Sequence, residues 1–328
     1  MHVRGTDLSR CNSINNYNIH GILRVKANIE VPDVFPPFFK VNKKLEPDLI
    51  VQMGDFIPGQ GGLYKEYTFF FLRSKLWIKD LFGTTKVLFK TMRGVVTLKT
   101  ISLLREILQL KLLQKGYCLI HGAFLSMDET GFLLIAPPDT GKTFTTLLLL
   151  KHGFSFLSDD TTITDGERGY CYPIPLTIHP YHVKRLGIKM GIKKDLQMRI
   201  KHLKMPFFLR GLFPREFKLS PEHLGISIAK KAIISRVYFL EEGNERVSKL
   251  TREESLRRLS SAGRMHSIIP FGNRVFLLYA YKTGSPLLDL LDTERNIYRK
   301  IVENAECYLL RCKNREYGRM ILKSLDGF

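Results

Sequence analysis

The stretch that most limits what this chain can fold into is Gly131-Phe132-Leu133-Leu134-Ile135, followed by Ala136-Pro137-Pro138-Asp139-Thr140-Gly141-Lys142-Thr143 and then by Phe144-Thr145-Thr146-Leu147-Leu148-Leu149-Leu150. An apolar run, a short loop ending Gly-Lys-Thr and a second apolar run predict strand, loop and helix in that order. Such an arrangement turns loop N–H groups and the positive end of the helix toward an anion. The eight residues from Ala136 to Thr143 fit the phosphate-binding loop pattern with alanine in first place. In that reading Ala136, Pro138, Asp139, Thr140, Gly141, Lys142, Thr143 and Phe144 surround a nucleotide, with Lys142 reaching the β- and γ-phosphates and the Thr143 hydroxyl ligating Mg²⁺. Pro137 and Pro138 carry no N–H, so the loop offers fewer donors than a glycine-rich one.

A second signal follows at once. Ser158-Asp159-Asp160 ends the apolar run Phe154-Ser155-Phe156-Leu157, and Asp159 stands 17 residues after Lys142. A helix of about 11 residues climbs ~16 Å and the next strand can return beside it, which brings both carboxylates to the phosphate end of the sheet. One acid can then hold Mg²⁺ while the other accepts a proton from an attacking hydroxyl. The plainer alternative is a solvated Asp-Asp turn.

The remaining pattern is mixed. Tyr17 to Val31, Leu49 to Met53 and Tyr67 to Lys90 are rich in β-branched and aromatic residues between Pro and Gly breaks, which predicts a β-rich part over residues 1–94. Residues 95–328 then form the catalytic part. It opens with a helix over Val96 to Lys115, whose apolar face is Leu104, Ile107, Leu108 and Leu112 and which ends at Gly116. CLIHGAFL and GFLLIA predict a hairpin about Met127-Asp128-Glu129-Thr130, and Gly153 caps the helix after the loop. Further strands are expected at Thr161 to Thr164, Ala232 to Leu240, Val275 to Tyr279 and, last, Cys307 to Arg311, with a helix near Thr251 to Ser261. The fold class is α/β with a mixed sheet.

A net charge of +20 attracts anions of any kind. Nearly half of it lies between Tyr181 and Lys218, which hold eleven Lys or Arg against two acids. Leu186, Met190 and Leu196 are spaced through that segment as on an amphipathic helix, either a cradle for an acidic peptide or a solvated face with lysine stems laid on the core. Five cysteines without a CxxC pair argue against a disulfide framework or a zinc cluster and fit a reducing cytoplasm. No apolar run reaches the ~20 residues of a membrane span, and Met1 to Arg10 lack the apolar stretch of a secretory signal. No nucleic-acid motif is visible.

Taken together, HGAFLSMDETGFLLIAPPDTGKTFTTLLLLKHGFSFLSDD, from His121 to Asp160, resembles the catalytic core of HPr kinase/phosphorylase and its relatives. The resemblance implies a core like that of phosphoenolpyruvate carboxykinase, with Mg²⁺-ATP as donor and a serine hydroxyl of a peptide or protein as acceptor. It also implies that His121 lies close to the transferred phosphate, that Asp159 is the base and that Asp160 is the metal partner beside Thr143. Without the family resemblance, the reading to prefer for His121 is a hydrogen-bonded histidine at a strand end. Residues 1–94 do not look like the regulatory domain of the bacterial enzymes. The family's EIRGLGI signature has only PEHLGISI, Pro221 to Ile228, as a counterpart, without the arginine. The chain is therefore expected to be closer to the shorter relatives that phosphorylate peptides or other proteins, with a homo-oligomer left open. The competing class is a nucleotide-gated binding module that transfers nothing.

Overall fold

The computed structural model describes residues 14–69, 72–91, 98–187, 217–265 and 270–326. Seven strands form a first sheet: β1 (Asn15–Ile19), β2 (Leu23–Ala27), β3 (Lys40–Val41), β4 (Leu49–Met53), β5 (Leu63–Phe69), β6 (Leu72–Lys79) and β7 (Thr85–Thr91), in the order β3-β1-β2-β4-β7-β6-β5. β1 and β2 are a hairpin joined by His20-Gly21-Ile22, where His20 and Gly21 have positive φ and the Ile22 N–H donates to the Ile19 carbonyl at 2.9 Å. β4 runs parallel to both β2 and β7. Burial alternates along β2 and β7, the sign of a sheet with one face in the core.

Helix α1 (Leu98–Leu113) follows, with Leu104, Ile107, Leu108 and Leu112 fully buried, and leads to a second, nine-stranded sheet. Its strands are β8 (Cys118–Ile120), β9 (Ala123–Met127), β10 (Thr130–Ile135), β11 (Ser155–Ser158), β12 (Thr162–Thr164), β13 (Arg168–Tyr170), β16 (Lys231–Glu241), β17 (Arg246–Lys249) and β18 (Glu306–Arg311). The path runs β11-β9-β10-β16-β13-β12-β8, while β18 pairs with the second half of β16 and with β17. β10, β16 and β18 are parallel and the other pairings are antiparallel, so the sheet is mixed as expected. β14 (Leu176–Ile178) and β15 (Phe217–Leu219) form a separate ribbon.

Apolar side chains of both sheets meet in one cluster with α1, from Tyr17 and Val25 to Ile163 and Val237. Polar links fix the join as well: Tyr172 donates its hydroxyl hydrogen to the Val34 carbonyl, and the Tyr279 hydroxyl accepts the Leu81 N–H at 3.1 Å. A second cluster on the other face of the sheet carries Leu149 of α2 (Lys142–Lys151) and Tyr317 and Ile321 of α7 (Tyr317–Asp326). The remaining helices are α3 (Pro180–Leu186), α4 (Arg252–Met265), α5 (Arg274–Thr283) and α6 (Leu290–Asn304). Among the described residues no helix is long and apolar enough to cross a membrane.

Several sequence expectations need correction. CLIHGAFL is two strands, β8 and β9, broken at His121-Gly122. A Cβ at Gly122 would lie 2.8 Å from Ile135 Cδ1 and 3.0 Å from the Leu134 carbonyl oxygen, so any larger residue there would push Ile135 aside and crowd the β10 backbone. Val275 to Tyr279 is helical, inside α5. The Asn273 side chain accepts the Val275 N–H at 2.9 Å as N-cap and Gly284 closes the helix in the left-handed region, and these two ends override the β-branched and aromatic composition. β18 is the last strand but not the last element, because α7 follows it. The expected helices through Met190 and Leu196 fall outside the described residues, apart from α3.

Candidate functional site

β10 ends at Ile135 and the chain crosses the top of the sheet through Pro137 and Pro138, both exposed, to Asp139 in the left-handed region at φ 61°. Gly141, at φ 110°, is the N-cap of α2 and has no side chain to supply a capping bond, so the first N–H groups of the helix stay available to a ligand. Thr145 closes the first turn, its hydroxyl donating to the Gly141 carbonyl at 3.1 Å.

Five polar side chains converge on this helix mouth from three places in the chain. Lys142, on the first turn of α2, donates to His121 Nε2 at 3.1 Å and lies 3.3 Å from Asp160 Oδ1. A lysine only donates, so Nε2 is the acceptor and the neutral ring carries its proton on Nδ1, which lies 3.4 Å from the same Asp160 oxygen. Thr143 donates its hydroxyl hydrogen to Asp159 Oδ2 at 2.7 Å. His121 stands at the break between β8 and β9, and Asp159 and Asp160 follow β11, so the two-strand break and the strand end deliver them together.

Asp159 is 4% exposed, and its second oxygen, Oδ1, has no hydrogen-bond partner among the described residues. Burial pushes its carboxyl above the usual carboxylate range, against the pull of the Lys142 charge and the Thr143 hydrogen bond. Asp160 is more open, with 38% of its side chain exposed. Thr143, Asp159 and Asp160 offer hard oxygen donors, the set that suits Mg²⁺ sharing its shell with water and phosphate oxygens. Among the described residues no three His, Cys, Asp or Glu side chains form a cluster able to hold a metal ion unaided.

Of the other residues the sequence singled out, Ala136 is buried in the sheet, Asp139 is exposed on the loop, and Phe144 turns away from it. The Phe144 ring packs on Leu147, Ile178 and Leu186, with Arg185 over it at 5.4 Å. Two residues near the loop carried no readable signal, Tyr181 at the start of α3 and Arg315 in the turn before α7. A cleft of about 300 Å³ lies against Ala136 and Pro137, walled by Leu240, Glu241, Glu254, Arg257, Arg258 and Ser261, with Arg258 paired to Glu241 and Glu254 and Arg257 to Glu253.

No known protein family and no curated protein matches the sequence. Among solved structures, the Hpr(Ser) kinase/phosphatase from Coxiella burnetii is similar at 12% identity and a TM-score of 0.28, over 64% of this chain and 94% of that chain. A likeness of that size does not say what this chain does, and function has to be read from the side chains.

Proposed function

We propose that this chain is a phosphotransferase of the HPr kinase-like class, which moves the γ-phosphoryl group of ATP to a hydroxyl of a peptide or protein, serine foremost. The observation that carries the reading is the convergence of Lys142, His121, Thr143, Asp159 and Asp160 on the N-terminal mouth of α2. Catalysis of this transfer is mostly positioning and charge stabilisation, and the site offers both. The α2 N–H groups and Lys142 bind the terminal phosphates, and His121 neighbours the group in transit. Asp159, whose burial raises its carboxyl above the usual range and so makes its ionised form a stronger proton acceptor, takes the proton of the attacking hydroxyl. Thr143 and Asp160 would hold a magnesium ion, which when bound offsets charge on the phosphate oxygens.

The Thr143–Asp159 hydrogen bond favours one variation, in which Asp159 stands behind the metal and Asp160, beside Lys142 and His121, is the base. Asp159→Asn and Asp160→Asn separate the two divisions: the base variant loses transfer at every Mg²⁺ concentration, whereas the metal-side variant recovers when Mg²⁺ is raised. The overall reading is tested by incubating purified protein with γ-labelled ATP, Mg²⁺ and an extract of its native cell. Label on a protein or peptide is expected. Nucleotide binding with no labelled acceptor would leave the gated binding module instead.

A further inference from the structure

Arg315 holds a left-handed backbone, φ 60°, a conformation that suits glycine better than arginine. Its stem lies across the loop: a Cβ built on Gly141 would meet Arg315 Cβ at 3.0 Å and its Cγ and Cδ at 3.1 Å. The guanidinium then sits 5.8 Å from the ring centroid of Tyr181, with Nη1 3.4 Å from the phenol oxygen. Tyr181 packs on Phe144, the residue that follows the loop, with centroids 6.3 Å apart. Among the described residues no carboxylate forms an ion pair with Arg315, although it stands at the positive end of α2 near a second cation, Lys142. Lys142 is already met by Asp160, which leaves Arg315, exposed at the rim, as the cation of this mouth with no carboxylate against it among the described residues. The buried, unpartnered Asp159 Oδ1 on the same helix mouth is an independent sign that a ligand completes the site.

The two cations point apart. Lys142 turns to His121 and Asp160, where the transferred group belongs, whereas Arg315 turns to Tyr181 and α3. Resting on the nucleotide reading above, we infer that Arg315 is a nucleotide-binding residue whose guanidinium pairs with the α-phosphate of the bound nucleoside triphosphate, on the nucleoside side of the loop. The chain of phosphates then runs from Lys142 across Gly141 to Arg315, and Tyr181 fixes the guanidinium from behind. A planar, permanently charged fork suits phosphate oxygens, and its stem is already held by Gly141 and Tyr181.

Calorimetric titration of the full chain with ATP and with ADP tests this on the wild type, Arg315→Ala, Arg315→Gly and Lys142→Ala. Glycine fits the left-handed backbone, so Arg315→Gly removes the side chain without straining the turn and stands in should Arg315→Ala fail to fold. Both Arg315 variants are expected to bind ATP and ADP more weakly by the same factor, roughly tenfold or more, the loss expected for a hydrogen bond to a charged group. Lys142→Ala should change the ratio of ATP to ADP affinity instead. Wild-type affinity in either Arg315 variant, or a loss confined to ATP, would overturn the assignment of Arg315 alone. A wild-type protein that binds neither nucleotide would overturn the nucleotide reading itself.

Discussion

Thr143 and Asp159, sixteen residues apart in sequence, are joined by a hydrogen bond of 2.7 Å in which the hydroxyl donates to the carboxylate. The bond orients Asp159 Oδ2, so one residue of the loop sets the geometry of the acid that follows β11. Thr143→Val removes that donor and leaves a buried carboxylate short of a hydrogen bond, a loss of about 1–3 kcal/mol. Thermal unfolding without nucleotide checks it, and Thr143→Ser, which keeps the hydroxyl, should restore most of the stability.

Transfer itself should depend on Lys142 and Asp159 in different ways. Lys142→Ala is expected to lower both nucleotide affinity and turnover, because it strips the cation that faces His121 and Asp160. Asp159→Asn should cut turnover at least ~10²-fold with nucleotide binding largely kept, the range expected for loss of a general base. Single-turnover transfer measured beside direct nucleotide titration distinguishes them, and full turnover in Asp159→Asn would remove it as the base.

The elements around the loop were legible because their cues are local. GFLLIA, the Gly-Lys-Thr step and the acids after Leu157 are contiguous patterns, and the structure brings Lys142, Thr143, His121, Asp159 and Asp160 together. Two readings failed for different reasons, one local and one long-range. Val275, Phe276 and Tyr279 read as strand by composition, yet their burial with Leu277, Leu278 and Tyr281 exposed is a helical face, fixed by the Asn273 cap. CLIHGAFL reads as one apolar run, and only the contact of Gly122 with Ile135 across β10 reveals the break that turns His121 into the site. Arg315 had no local pattern at all, because it reaches the loop through the β18–α7 turn.

Stability should vary with pH through Glu106, buried in α1. Asn273 Nδ2 donates to its Oε2 at 2.5 Å and the Ser102 hydroxyl to its Oε1 at 3.3 Å, yet burial outweighs both and pushes its carboxyl up to about 7 from 4.5. Between those values the folded chain keeps a proton that the unfolded chain has released. The contribution is therefore complete below pH 4.5, falls as pH rises toward 7 and is gone above it. Glu106→Gln, neutral throughout, should flatten that slope and leave the protein more stable than wild type at pH 8, by up to roughly 3 kcal/mol. Denaturant unfolding at a series of pH values reads the slope directly.

Phe124 of β9 gives a packing test. A Cβ at Gly131 would lie 2.3 Å from Phe124 Cζ and 2.4 Å from the Ile233 carbonyl oxygen, and one at Gly169 would lie 2.2 Å from Phe124 Cε1. The ring edge is thus seated between two glycines, one on β10 and one on β13. Gly131→Ala should destabilise by about 1–3 kcal/mol through forced repacking, more if the backbone of β16 must shift. Adding Phe124→Leu, which frees the crowded edge, should return part of the loss in the same unfolding experiment.

The pairing of β16 also bears on the order in which the molecule is assembled. It takes β10 along one edge and changes partner on the other, from β13 near its start to β18 toward its end. The β9–β10 hairpin leaves the ribosome long before Lys231–Glu241 exists to cover it. A nascent chain stalled in that interval carries the Thr130–Ile135 strand with a bare hydrogen-bonding edge, the kind of edge that recruits foreign strands. The strand that leads into the helix mouth is therefore also one that a chaperone has reason to shield during synthesis.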